Sequence, residues 1–256
     1  YHWKGVTASH IVPTLLLLPH TRELRRPKNV TYITENICAT VQRIRELEAK
    51  YNRPAESVRL LAVSKHHSVA KIREAATAGL KEFGENFLQE AEKKITELAD
   101  HTLTWHFIGP IQSNKTRGIA EHFDWVQSVD RDKIAARLSE QRSKEKPPLN
   151  ICVQVNLSAE QSKSGTSLAE AESLCALVAD LPQLELRGLM AIPAFEKDFE
   201  KQRQYLNELS AEFARLQEIF PTMDTLSMGM SNDYEAAIAE QSSMVRLGTV
   251  IFGPRV

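Results

Sequence analysis

Val58-Arg-Leu-Leu-Ala-Val-Ser-Lys65 is the stretch on which the fold turns. Leu60, Leu61, Ala62 and Val63 follow one another without polar alternation, the pattern of a parallel strand covered on both faces. The run ends on a single amine. A lysine there sits at the rim of a core, where desolvation lowers its pKa and frees it as a nucleophile. A strand-end lysine taken alone more often points into water, so the rest of the chain must decide.

Outward from this strand, helix and strand alternate. Ile37, Val41, Ile44 and Leu47 recur at spacings of three and four and predict a helix over 36–51. After the 58–65 strand the pattern predicts further strands ending at Asn86, Gly109, Ser128, Asn156, Ile192, Gly229 and Phe252. Helices fall between them, over 69–78, 87–98, 113–121, 130–143, 167–179, 199–219 and 233–240. Eight strands separated by helices predict an α/β chain closed as a single (β/α)8 barrel with an added N-terminal helix. The 256 residues suit it, since about 250 is usual for this architecture.

Residues 1–30 differ from the rest. Leu15 to Leu18 form an apolar run too short to cross a bilayer, and Arg22, Arg25, Arg26 and Lys28 cluster behind it. We expect an extension, disordered or foreign to the mature protein, ahead of a barrel over 31–256. A net charge of −1 favours neither nucleic acid nor an anionic membrane as partner. Cys38, Cys152 and Cys175 are odd in number and far apart, without metal-ligand spacing, so buried reduced thiols in a cytoplasmic protein are expected.

The chemistry gathers on one rim. Barrels of this kind carry their sites at the C-terminal strand ends and bind phosphate after strands seven and eight. Lys65 ends strand one, Asn86 strand two and Asn156 strand five. Leu226-Ser-Met-Gly-Met-Ser231 and Val245-Arg-Leu-Gly-Thr249 follow at the far end. Gly229 and Gly248 let backbone approach an anion, Ser227, Ser231 and Thr249 add hydroxyls, and Ser231 can cap the next helix. An ordinary strand-to-helix turn would use the same residue types. Arg246, flanked by Met244, Val245 and Leu247, is an unusual occupant of a barrel strand and always a donor. An ion pair across the barrel would explain it, and so would donation to a ring nitrogen. Lysine, arginine and a phosphate cup on one rim suit pyridoxal phosphate.

Six strings then carry a resemblance: Leu-Leu-Ala-Val-Ser-Lys65, Phe-Gly-Glu-Asn86, Trp105-His-Phe-Ile-Gly-Pro-Ile-Gln-Ser-Asn-Lys115, Gly188-Leu-Met-Ala-Ile-Pro193, Ser227-Met-Gly-Met-Ser231 and Val245-Arg-Leu-Gly-Thr. In order over residues 32–253, they resemble the pyridoxal phosphate homeostasis protein family, a single-domain relative of the alanine racemase N-terminal barrel. The resemblance implies that Lys65 forms the Schiff base and Arg246 meets the pyridine nitrogen. It further implies that Ser227, Gly248 and Thr249 hold the phosphate and that Asn86 lies beside the cofactor. His106, Gln112, Asn114 and Met190 are expected to line the pocket. His66-His67 depart from the family's commoner Thr-Lys, and Asn232 from its commoner aspartate. Lys163, in the loop after strand five, reads as a solvated loop lysine.

Two functions compete. One is a non-catalytic binder that stores, buffers or delivers pyridoxal phosphate in vitamin B6 homeostasis, with apo-enzymes as recipients and the chain a monomer or weak dimer. The other is an amino-acid racemase, which needs a second acid–base group opposite the lysine. The racemases take that group, a tyrosine, from an additional domain of the partner subunit. The chain is expected to lack that domain, which favours the binder. Arginine at the ring nitrogen argues against transamination.

Overall fold

The computed structural model describes residues 31–157 and 164–254, so the expectations for residues 1–30 and for Lys163 lie outside the described residues. Eight parallel strands close into a barrel in sequence order: β1 Arg59–Val63, β2 Glu82–Glu85, β3 Thr104–Phe107, β4 Trp125–Val129, β5 Leu149–Val155, β6 Leu184–Ala191, β7 Thr225–Ser227 and β8 Met244–Leu247. Closure runs from β8 back to β1, with Leu61 beside Arg246 and Ala62 beside Leu247. The expected barrel is the observed one. Helices cover the sheet outside and side chains fill it inside, so even polar strand residues are buried; β4, which includes Gln127 and Ser128, is buried at all five positions.

The helices are α1 Tyr32–Lys50, α2 Val69–Thr77, α3 Leu88–Glu97, α4 Thr116–His122, α5 Asp132–Gln141, α6 Leu168–Asp180, α7 Phe199–Ile219, α8 Tyr234–Ala239 and α9 Thr249–Phe252. A 3-10 turn over Ser113–Lys115 precedes α4. Helix α1 begins four residues before the apolar stripe suggested, because the Thr31 hydroxyl accepts from the Thr34 amide at its start. It docks on α8 through Glu235, which accepts from Lys50 Nζ at 2.8 Å, Tyr51 Oη at 3.1 Å and Arg43 Nη2 at 3.0 Å. The helix therefore belongs to the barrel wall.

Two expectations are corrected. The eighth strand does not run to Phe252: it stops at Leu247, and residues 249–252 coil into α9, burying Ile251 and Phe252 while Val250 faces out. A short apolar run is compatible with either element. The thiols also divide. Cys152 and Cys175 are buried, and burial pushes each up to about 12, but Cys38 is exposed. Among the described residues, no helix is long and apolar enough to cross a membrane.

Candidate functional site

Strand ends deliver the site. β1 stops at Val63 and the chain turns through Ser64 to Lys65; β2 stops at Glu85 and releases Asn86; β8 stops at Leu247 and releases Gly248 and Thr249. Their side chains and backbone meet around one cleft of about 140 Å³, lined by Lys65, Asn86, Arg246, Gly248 and Thr249. Val63, His67, Ile108, Ile192, Met230 and Ser231 complete its walls. Five of the six residues expected at a cofactor thus converge on one place.

Ser227 does not. It is fully buried inside the barrel, accepting from Arg246 Nη1 at 2.8 Å and donating to Gln127 Oε1 at 2.7 Å. Its hydroxyl is committed to the interior, and the hydroxyl residues lining the cleft are Ser231 and Thr249. Ser231 does not cap α8 either: Asp233 stands at that cap position, and its Oδ1 accepts from the Met230 amide at 2.6 Å, bracing the loop. Gly229 makes the bend with φ of +99°, where an added Cβ would lie 2.6 Å from Ala237 Cβ. At Gly248 an added Cβ would lie 2.9 Å from the Val63 carbonyl oxygen, so β8 passes β1 closely where the turn after β8 opens.

Arg246 is held from below. Nη1 donates to the Ser227 carbonyl at 2.7 Å as well as to its hydroxyl, and Nη2 donates to the Ala191 carbonyl at 2.8 Å. Nε takes part in none of these bonds. Burial lowers the guanidinium to about 10, opposed by the Asp233 carboxylate. The ion pair considered from the sequence is replaced by backbone carbonyls. Asn86 Oδ1 is buried without a hydrogen-bond partner, an acceptor left unused on a residue that lines the cleft.

Below this rim a polar column continues. Gln127 Nε2 lies 2.9 Å from His106 Nδ1, which places the imidazole proton on Nε2, 3.3 Å from Glu82 Oε2. His106 is stacked on Trp125 and wholly buried, so it supports the column instead of lining the cleft. Burial lowers its pKa and keeps the ring neutral. Met190 packs against Trp125 and Cys152 in the interior. Gln112 lines a neighbouring groove with Phe87 and Lys115, while Asn114 is exposed beyond it. A cleft-lining residue not expected there from the sequence is His67, two positions after Lys65, whose ring lies 4.9 Å from Phe252.

The alanine racemase N-terminal domain model matches residues 36–256. The pyridoxal phosphate homeostasis protein of Pseudomonas aeruginosa is 56% identical over 227 residues, covering 87% of this chain and 96% of that protein. Its Escherichia coli counterpart is 50% identical over 226 residues, covering 87% and 97%. The solved structure of PipY from Synechococcus elongatus with PLP bound superposes with a TM-score of 0.75 at 36% identity, covering 86% of this chain and all of that one. With its barrel, its strand-end lysine and these relatives, the chain belongs to the alanine racemase N-terminal domain family and, within it, to the pyridoxal phosphate homeostasis proteins.

Proposed function

We propose that the chain binds pyridoxal 5'-phosphate at Lys65 and stores, buffers or delivers it in vitamin B6 homeostasis, without turning over a substrate. The observation that carries the reading is the meeting of a strand-end amine, a buried arginine and a glycine-lined turn at one cleft. When bound, the cofactor supplies an aldehyde that condenses with a primary amine. Lys65 offers the amine. Arg246 would meet the ring nitrogen through Nε or the second proton of Nη2, since both Nη1 protons go to Ser227 and one Nη2 proton to Ala191. Gly248, Thr249 and Ser231 hold the phosphate, with Ser231 taking the place expected of Ser227, and the orphaned Asn86 oxygen accepts a bond from the bound molecule.

Racemisation requires a proton donor facing the lysine from the opposite side. Among the described residues lining the cleft, the remaining titratable side chain is His67. It leaves the same loop as Lys65 and its ring lies tilted against Phe252 at 4.9 Å, so it is poorly placed for that task. The lining carries no described tyrosine or carboxylate. The reading takes 31–256 as the cofactor-binding unit and 1–30 as an extension, with a cytoplasmic setting, a monomer or weak dimer, and apo-enzymes as recipients.

The test is a pair of assays on the loaded protein. Cofactor should transfer to an apo-enzyme, and incubation with the enantiomers of alanine, serine and glutamate should leave optical rotation unchanged. Turnover near an ordinary enzyme's ~10 per second, lost in Lys65→Ala, would overturn the binder in favour of a racemase.

A further inference from the structure

A buried cluster of charges lies under the loop that carries Lys65, and the proposed cofactor contacts leave it unused. Lys94, on α3, has a side chain only 5% exposed, and the side chain of Glu85 at the end of β2 is fully buried. The ammonium uses all three of its protons: Nζ donates to the Ser64 carbonyl at 2.8 Å, to Glu85 Oε1 at 2.7 Å and to Glu90 Oε1 at 2.6 Å. Glu85 Oε1 also accepts from the Ser64 hydroxyl at 2.6 Å, and Glu90 Oε1 accepts from the His66 amide at 2.6 Å.

These bonds fall on either side of one residue. Ser64 is tied through its carbonyl and its hydroxyl, and its amide donates to the Gly84 carbonyl at 3.0 Å. His66 is held at φ of +64°, a left-handed conformation that non-glycine residues rarely adopt, by the Glu90 bond and by its ring 5.2 Å from Phe87. The peptides before and after Lys65 are therefore fixed from below. Burying a lysine with two carboxylates is costly unless the charges are well bonded; here all three ammonium protons are used, while Glu85 Oε2 is buried without a partner. Burial raises the Glu85 carboxyl, and Lys94 opposes that rise.

We infer that Lys94, with Glu85 and Glu90, is a positioning device that holds the Ser64–His66 turn so that the Lys65 amine is presented to the cofactor aldehyde. The inference rests on the proposed cofactor reading. It differs from a general stabilising role in a measurable way. A device that only positions the amine affects a ligand that bonds to Lys65 and spares one that cannot.

The experiment compares pyridoxal 5'-phosphate with 4'-deoxypyridoxine 5'-phosphate, which keeps the ring and phosphate but has no aldehyde. Each is titrated into the full chain and into the double variant Lys94→Met/Glu85→Gln, which leaves no buried carboxylate without its ammonium. Pyridoxal phosphate should bind at least about tenfold more weakly to the variant, with its covalent absorbance band reduced, while the deoxy analogue changes by less than about twofold. Glu90→Ala, at a half-buried position, should give the same split and carries the test if the double variant does not fold. Equal losses for both ligands, or no change for either, would overturn the positioning role. Failure of the wild-type protein to bind pyridoxal phosphate at Lys65 would instead sink the cofactor reading itself.

Discussion

Replacing Arg246 with methionine tests whether this buried charge holds the barrel together as well as facing the cleft. The variant keeps similar bulk and removes three donated bonds: two to the Ser227 carbonyl and hydroxyl and one to the Ala191 carbonyl. Bonds from a charged donor contribute about 1.5–3 kcal/mol each, so the gross loss is roughly 5–9 kcal/mol. Against this stands the cost of burying the guanidinium. Its fall from 12.5 to about 10 corresponds to roughly 3 kcal/mol against the charged form. The Ser227 hydroxyl keeps its bond to Gln127, whereas the two carbonyls lose these donors. A net destabilisation of about 2–5 kcal/mol follows. Urea unfolding of the cofactor-free protein, followed by circular dichroism, reads it directly. With a slope of about 1–3 kcal/mol/M, the midpoint should drop by about 1–2 M. A midpoint at or above that of the wild type would refute the argument. It would mean that desolvation outweighs the three bonds.

The proposed phosphate site makes its own demand: pyridoxal should bind at least about a hundredfold more weakly than pyridoxal 5'-phosphate, and Gly248→Ala, whose Cβ would meet the Val63 carbonyl oxygen at 2.9 Å, should erase most of that preference. Equal affinity for the two forms in the wild type would remove Ser231, Gly248 and Thr249 from the site. Where α1 docks on α8, the bond from Lys50, with Tyr51 and Arg43, holds the Glu235 carboxyl below its ordinary 4.5. A depressed carboxyl stabilises the fold above its unfolded pKa and loses that contribution as pH falls through its folded value. Glu235→Gln should therefore cost about 0.5–1 kcal/mol at pH 7, with the difference from wild type shrinking below pH ~4.5; a variant as stable as wild type at pH 7 would deny the role of this contact in docking α1.

The barrel was legible because continuous apolar runs such as Leu60–Val63, each followed by a helical stripe, leave little alternative to a covered parallel sheet. The rim was legible for the same reason, since strand ends fix which residues emerge together. Height along the barrel axis was not. Ser227, His106 and Met190 sit on strands whose ends reach the site, yet all three face the interior beneath it. A two-residue period tells inside from outside and says nothing of depth. Lys94 was hidden differently: in a helix rich in Glu and Lys it reads as a solvated side chain, and only the arrival of Glu85 and the Ser64 carbonyl beneath it reveals a buried one. His67 was noted as a departure from the family, but its place in the cleft wall depends on the turn after β1.

The central claim, that Lys65 is the amine that captures pyridoxal 5'-phosphate, is tested most directly by borohydride reduction followed by peptide mapping. The protein, incubated with the cofactor and reduced, should carry one pyridoxyl mass on the peptide containing Lys65, and Lys65→Ala should lose both that mass and the absorbance band. A wild-type protein that stays colourless, or a mass fixed on another lysine and retained in Lys65→Ala, would contradict the account.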